Sequence, residues 1–316
     1  MSAPRLSILD QSPVPEGSTG SDALQNTLDL ARLADALGYD RYWVAEHHGG
    51  VSLSGPSPEA LIGPIASITA RLRVGSGGVM LPHYSPFKVA ETFSVLAGLF
   101  PGRVDLGIGR AAGTDPMTTF ALQRDRSRAM PDDFPAQLAE LLAYLGGTMP
   151  ADHPFARLAT SLPGRPEVPE PWLLGSSPQS AIWAAELGLP YAFADFINPA
   201  GAAIAQDYRR RFAEAGHDGL PRVIVCAWVL CAEDDDEARR LSASSRMSLT
   251  LLRRGRLVEV PPPEKALRFL AHEGLLADDA GGRRWIVGTP GGVRERVEAL
   301  AGDYGADEVM AVTITH

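Results

Sequence analysis

The sequence is short of cysteine, of positive charge and of long apolar runs, and each shortage closes off a class of function. Only Cys226 and Cys231 are present, both inside the apolar run Val223 to Cys231. Their odd spacing places them on opposite faces of a strand. Neither an intrastrand disulfide nor a metal pair without a nearby His is expected there. They read as core residues of a protein kept in a reducing, cytoplasmic compartment. Lys and Arg number 29 against 38 Asp and Glu, a net charge of −9. So acidic a chain is a poor partner for nucleic acid or an anionic membrane surface. No apolar run approaches the roughly 20 residues of a membrane span. Met1 to Gln11 lacks the apolar stretch of a secretory leader. A glycine-rich phosphate fingerprint is missing too. The first strand-to-helix turn, Asp10 to Gly20, is rich in Pro and Ser and holds no G-x-G-x-x-G, which argues against a doubly wound dinucleotide-binding sheet.

What is present is a 316-residue chain, 45% hydrophobic and 21% charged, enough to bury a large core. Short apolar runs alternate with stretches of helical period. Strands are predicted at Leu6 to Leu9, Tyr42 to Ala45, Leu72 to Met80, Val104 to Ile108, Trp172 to Leu174, Tyr191 to Ala194, Val223 to Cys231 and Glu308 to Ile314. Between them lie predicted helices such as Leu24 to Leu37, Pro58 to Ala70 and Pro86 to Leu99. In the first, Leu24, Leu28, Ala31, Ala34 and Leu37 form the apolar stripe. Strands alternating with helices imply parallel pairing. Eight such units without a composition break predict one (β/α)₈ TIM barrel over residues 1–316. Irregular insertions fall at about 146–171 and 253–282. The chain stops two residues after the last strand, so the eighth helix of the barrel is missing. The helix-forming stretch Pro263 to Ala277, or a second subunit, is the expected cover for that seam.

Active sites of such barrels lie at the C-terminal ends of the strands, and four strand ends carry chemistry. Glu46-His47-His48 follows the second strand, where a His can act as general acid or base or simply be packed. Gly75-Ser76-Gly77-Gly78 interrupts the third strand. Glycines there mark a bulge or the close approach of another group, so a flat ring could lie against Gly77 and Gly78, or barrel closure alone could need them. Arg110 follows the fourth strand and offers a bidentate fork to phosphate or carboxylate, or to a surface carboxyl. Gly175-Ser176-Ser177-Pro178 enters a helix, where free N–H groups and small hydroxyls suit an anion or plain N-capping. No metal site is expected. Together the cradle, the arginine and the glycine floor suit a phosphorylated planar cofactor.

These segments also carry a family resemblance. The chain resembles the bacterial luciferase-like flavin-dependent monooxygenases from Leu6 to about Pro199 and again from Ile286 to Thr315. The carrying segments include Trp43 to His48, Val74 to Pro82, Pro86 to Glu91, Gly102 to Arg110, Gly175 to Ser177, Ala184 to Pro190 and Ile286 to Pro290. The runs Ser176 to Ser180 and Phe193 to Phe196 are most similar to the single-chain oxidoreductase branch. The resemblance implies that Arg110, Gly175, Ser176 and Gln179 hold a flavin phosphate, with Ser177 in the same cradle. It implies that the Gly77-Gly78 peptide is cis beneath the isoalloxazine, and that His47 is the catalytic histidine. Three departures stand out. Gly109 replaces a reactive cysteine, Gln179 replaces a hydroxyl residue, and the closing helix is absent.

The reading this supports is a monooxygenase using reduced FMN and O₂ on a small organic substrate, through a flavin C4a-hydroperoxide. A separate flavin reductase is expected, since no pyridine-nucleotide motif is present. Relatives pair through the second and third helices, which implies a homodimer. The alternatives are F420-dependent hydride transfer on the same fold, and a non-catalytic flavin-binding protein. Candidate lids are Ala111 to Pro131 and Arg246 to Pro263, the latter with Arg246, Arg253, Arg254 and Arg256.

Overall fold

The computed structural model describes residues 3–110, 114–123, 126–127, 132–276 and 285–316. Its elements run β1 (Arg5–Asp10), α1 (Gly20–Leu37), β2 (Arg41–Val44), α2 (Pro58–Ile68), β3 (Arg73–Met80), α3 (Pro86–Leu99), β4 (Val104–Gly109), α4 (Pro116–Leu122), α5 (Phe134–Gly146), α6 (Ala156–Ala159) and β5 (Glu170–Gly175). They continue with α7 (Pro178–Glu186), β6 (Tyr191–Ala194), α8 (Ala202–Ala215), β7 (Val223–Cys231), α9 (Asp235–Arg253), α10 (Pro263–His272), β8 (Trp285–Gly288), α11 (Pro290–Tyr304) and β9 (Glu308–Val312). Strands β1 to β7 pair in sequence order, and β9 joins β7 to β1, all in parallel. This is the closed eight-stranded barrel expected from the alternation. A ninth strand, β8, was not expected. β7 is nine residues long; its first half pairs with β9, and its last residues run past the ring. There Trp228 to Cys231 accept β8 as a neighbour.

Parallel strands buried on both faces divide the core into two layers. Leu9, Trp43, Trp172, Ile224, Cys226 and Met310 fill the barrel interior. The outer cluster packs helices against strands through residues such as Tyr42, Ile62, Phe93, Tyr191 and Val309. Charged side chains close the N-terminal end of the interior. Buried Arg41 meets Asp105 at 2.8 Å and Glu308 at 3.2 Å, and Arg73 meets Glu170 at 3.1 Å. Arg41 and Arg222 each lie over the Trp172 ring, 4.9 Å from its centroid. With that end plugged by paired charges, the opposite end is left as the mouth.

Three expectations need correction. In α1, Ala31 and Ala34 of the expected stripe are buried and Leu28 packs against the core, but the buried face continues through Ala23 and Thr27 rather than Leu24, and Leu37 is 66% exposed. Small residues let the helix lie close to the sheet, which leucines would prevent. Cys231 is exposed, because it sits on the overhang of β7, whereas Cys226 is buried. The insertion helix α10 packs on α9 through Ala243, Met247, Leu251, Ala266 and Leu270, rather than across the seam beside β9. Residues 313–316 after β9 form no helix. The outward Val309 is nevertheless 1% exposed and shares its cluster with Val297, Leu300 and Tyr304 of α11. Residue 277 of the stretch Pro263 to Ala277, and 277–282 of the second insertion, lie outside the described residues.

Candidate active site

The four strand ends singled out above belong to β2, β3, β4 and β5, which are consecutive neighbours in the ring. The fold therefore brings them to one arc of the C-terminal mouth. β2 is only four residues long and fully buried, so the chain leaves it abruptly at Glu46. That carboxylate is completely buried. One oxygen pairs with His48 Nε2 at 2.7 Å, and the other accepts the Met80 backbone N–H at 3.0 Å. Glu46 thus ties the histidine loop to the end of β3. The sequence shows it only as one member of the Glu-His-His run; an acid closing the apolar run Tyr42 to Ala45 was the available signal.

His47 sits beside this brace. Its backbone N–H donates to the Gly55 carbonyl at 3.2 Å, while its Nδ1 is buried with no partner among the described residues. Burial, and secondarily the neighbouring His48, lower its pKa from 6.5 to about 4. The imidazole is therefore neutral at physiological pH, able to accept a proton or hydrogen bond but holding none to give as an imidazolium.

Between Gly77 and Gly78 the peptide is cis, and the register of β3 on β4 shifts between Ser76 and Val79. A Cβ on Gly78 would lie 2.8 Å from the Gly107 carbonyl oxygen, and one on Gly77 would lie 2.5 Å from Leu9 Cδ1. A Cβ on Gly107 would run into the Ser76 carbonyl oxygen. The barrel's own packing thus excludes side chains here, and the bare backbone that results forms a floor at the mouth. The structure bears out the bulge and the close backbone approach read from these glycines.

Arg110 leaves the end of β4 half-exposed. It donates to both Asp132 oxygens, at 3.0 and 2.8 Å, and its guanidinium lies 5.6 Å from the centroid of Trp183. Trp183 belongs to α7, whose N-terminus is the Ser176-Ser177 turn. Ser177 is the N-cap, accepting the Ser180 N–H, and Asn198 donates to the Ser176 carbonyl at 2.9 Å. Gly175 is barred from carrying a Cβ by the Ser180 side chain. Gln179 is exposed in the first turn of α7. The arginine is therefore brought to the helix that follows the serine turn, through Trp183, a contact that sequence reasoning missed. Asp132 shows that the fork accepts an oxyanion. An exposed pair of this kind is worth only about 0–1 kcal/mol, so exchanging it for a dianionic phosphate costs little. The donor set fits a flavin phosphate: a guanidinium, serine hydroxyls and unpaired amides at a helix start.

Two segments lean over the histidine loop. Thr114 donates to the His48 carbonyl at 2.8 Å, and Gly49 abuts Thr118. From the other side, Leu257 reaches Gly50, and Val260 exchanges backbone hydrogen bonds with Val14 and Glu16. Residues 111–113, 124–125 and 128–131 of the first candidate lid lie outside the described residues. In the second, Arg246 donates to the Leu275 carbonyl and Arg254 pairs with Glu273, both at 2.5 Å. Arg253 and Arg256 are exposed.

Comparison with known proteins completes the picture. The profile of the luciferase-like monooxygenases matches residues 5–308. The Bacillus subtilis protein YwcH is 46% identical over 98% of this chain and 94% of its own. The N-acetyl-S-alkylcysteine monooxygenase of Bacillus subtilis is 37% identical over 98% of this chain and 92% of its own. The crystal structure of apo-MsnO8 superposes with a TM-score of 0.89 at 40% identity, covering 99% of this chain and 93% of that one.

Proposed function

The chain belongs to the luciferase-like monooxygenase family, and from that premise we propose that it uses reduced FMN and O₂ to oxygenate a small organic substrate. The observation that carries the reading is Arg110 lying over Trp183 of α7, the helix that the Ser176-Ser177 turn opens, one strand from Gly77-Gly78. Arg110, Ser176, Ser177, Gln179 and the backbone at Gly175 would hold the phosphate, with the ring on the bare backbone of β3. Reduced FMN, once bound, supplies the electrons that activate O₂. The chain's own part is to orient the ring, exclude water beneath the two leaning segments, and move a proton. His47, neutral and unpartnered at Nδ1, serves as general base in that last role.

The serine-rich cradle, with one arginine as its strong anchor, suits the single phosphate of FMN better than F420. No pyridine-nucleotide motif is present, so a separate reductase supplies the reduced flavin. A thioether is the first substrate class to try, given the named specificity of the 37%-identical relative. We also infer a homodimer through α2 and α3. Ala60 of α2 and Val95 and Leu99 of α3 are exposed, and Gly63 of α2 is half-buried. Sedimentation should show a dimer at micromolar concentration that Leu99→Arg converts to monomer; a monomeric parent would refute it.

The functional reading is tested with ¹⁸O₂, a reductase, FMN and a panel of thioethers, ketones and amines. One ¹⁸O atom in the product, formed only with reduced FMN, is expected. Turnover with reduced F420 in the absence of O₂ would overturn it.

A further inference from the structure

The chain has four tryptophans whose indoles lie inside or at the mouth of the barrel, and they fall into two pairs. Near the closed end, Trp43 donates its Nε1–H to Asp105 at 2.9 Å and Trp172 donates to Glu170 at 3.1 Å. At the mouth, Trp228 of β7 and Trp285 of β8 are register partners. Their rings stack at 5.2 Å with an interplanar angle of 12°, and Phe196 meets Trp228 edge-on at 5.9 Å. Neither mouth indole has a hydrogen-bond partner for Nε1 among the described residues, although both nitrogens are shut from water. Ser248 Oγ of α9 is in the same position. Buried tryptophans ordinarily place this donor, and leaving it unmet costs about 1–3 kcal/mol. The contrast within one barrel points to a partner that is not part of the chain.

The topology says where that partner would lie. In the eight-membered ring β1 to β7 and β9, β7 is four strands from β3, and so directly across the mouth from the glycine floor. A flavin lying along β3 to β5 leaves the β7 side free.

We propose that the Trp228–Trp285 pair is the substrate-facing wall of this site, and that it takes a neutral organic substrate offering a carbonyl oxygen to the indole N–H groups. The proposal rests on the flavin reading above. An indole N–H only donates, so the ligand atom must accept. Phe196 meets Trp228, and Leu249 and Val260 share the apolar cluster that holds both tryptophans. A carboxylate placed among them would lose hydration without a counter-charge, so a neutral acceptor is favoured.

The test uses two probes of similar apolar body: methyl N-acetyl-S-benzylcysteinate, with carbonyls, and benzyl propyl sulfide, without. Each is titrated calorimetrically into protein saturated with oxidised FMN. The parent should bind the carbonyl probe about tenfold more tightly, the worth of one to two net hydrogen bonds. Trp228→Phe and Trp285→Phe keep a flat ring but lose the donor. Each should shrink the preference to a few-fold or less while FMN affinity and circular dichroism stay unchanged. Equal affinity for the two probes, no binding of the carbonyl probe, or a preference that survives both substitutions would overturn the proposal. Failure of the parent to bind FMN at all would instead count against the flavin reading.

Discussion

His47 and Arg110 could be singled out because each follows a strand whose C-terminal end faces the mouth. Their electrostatic states could not be read the same way. The neutrality of His47 comes from burial first and the His48 charge second, and burial is a property of the assembled loop. Asp132 and Trp183, which hold Arg110, lie 22 and 73 residues further along the chain, beyond any local spacing rule. His47 yields a prediction of definite sign. Its folded pKa lies below the ordinary 6.5, so the neutral base persists as pH falls and is lost only near pH 4. The acid limb of kcat/KM assigned to this group should therefore lie below about pH 5, and His47→Ala should lower turnover by about 10²–10⁴-fold with FMN affinity nearly unchanged. An acid limb centred at 6.5 would show that the imidazole is not held in the buried, neutral state described here.

At the scale of elements, period and punctuation placed most strands and helices, with α3 and β7 found at the predicted limits. The errors have physical causes. The predicted α1 stripe was right at Ala31 and Ala34 but wrong at Leu24 and Leu37, because Ala23 and Thr27 make the close contact. β8 escaped notice because it lies outside the eight-strand alternation and, among the described residues, pairs only with the overhang of β7. The glycines of β3 were legible as a bulge, but their fit against Gly107 of β4 could only be seen in register. Since a Cβ on Gly78 would press on the Gly107 carbonyl, even Gly78→Ala should cost about 1–3 kcal/mol through overpacking, a fall in melting temperature of several degrees. A melting temperature unchanged by this substitution would mean that β3 and β4 are not so closely opposed. The larger Gly78→Val should disturb the fold itself, so a loss of flavin binding in that variant would not by itself identify the floor.

For the whole molecule, alternation of strand and helix was enough to give the barrel. It could not reveal the charged plug, which joins Ser7, Arg41, Asp105, Glu170 and Glu308 from strands far apart in sequence. The plug makes stability depend on pH. Burial raises the Glu170 pKa, but the Arg222 hydrogen bond and the charges of Arg73, Arg222 and Arg41 outweigh it and bring it from 4.5 to about 2. Its contribution is fully present above about pH 4.5 and is lost as pH falls toward 2. After discounting for partial exposure, it amounts to something on the order of 2 kcal/mol. Urea unfolding of the parent and of Glu170→Gln should therefore differ at pH 6 and converge as pH is lowered through that window. A gap independent of pH would remove Glu170 from the plug.

The most direct measurement on the central claim is an equilibrium titration of the parent and of Arg110→Ala with FMN, riboflavin and F420. A charge-assisted phosphate contact is worth about 1.5–3 kcal/mol, or roughly tenfold to a hundredfold in affinity. The parent should bind FMN most tightly. Arg110→Ala should weaken FMN by that factor and leave riboflavin nearly unchanged, so that the two flavins become alike. Equal losses for FMN and riboflavin, or a parent that prefers F420, would contradict the account.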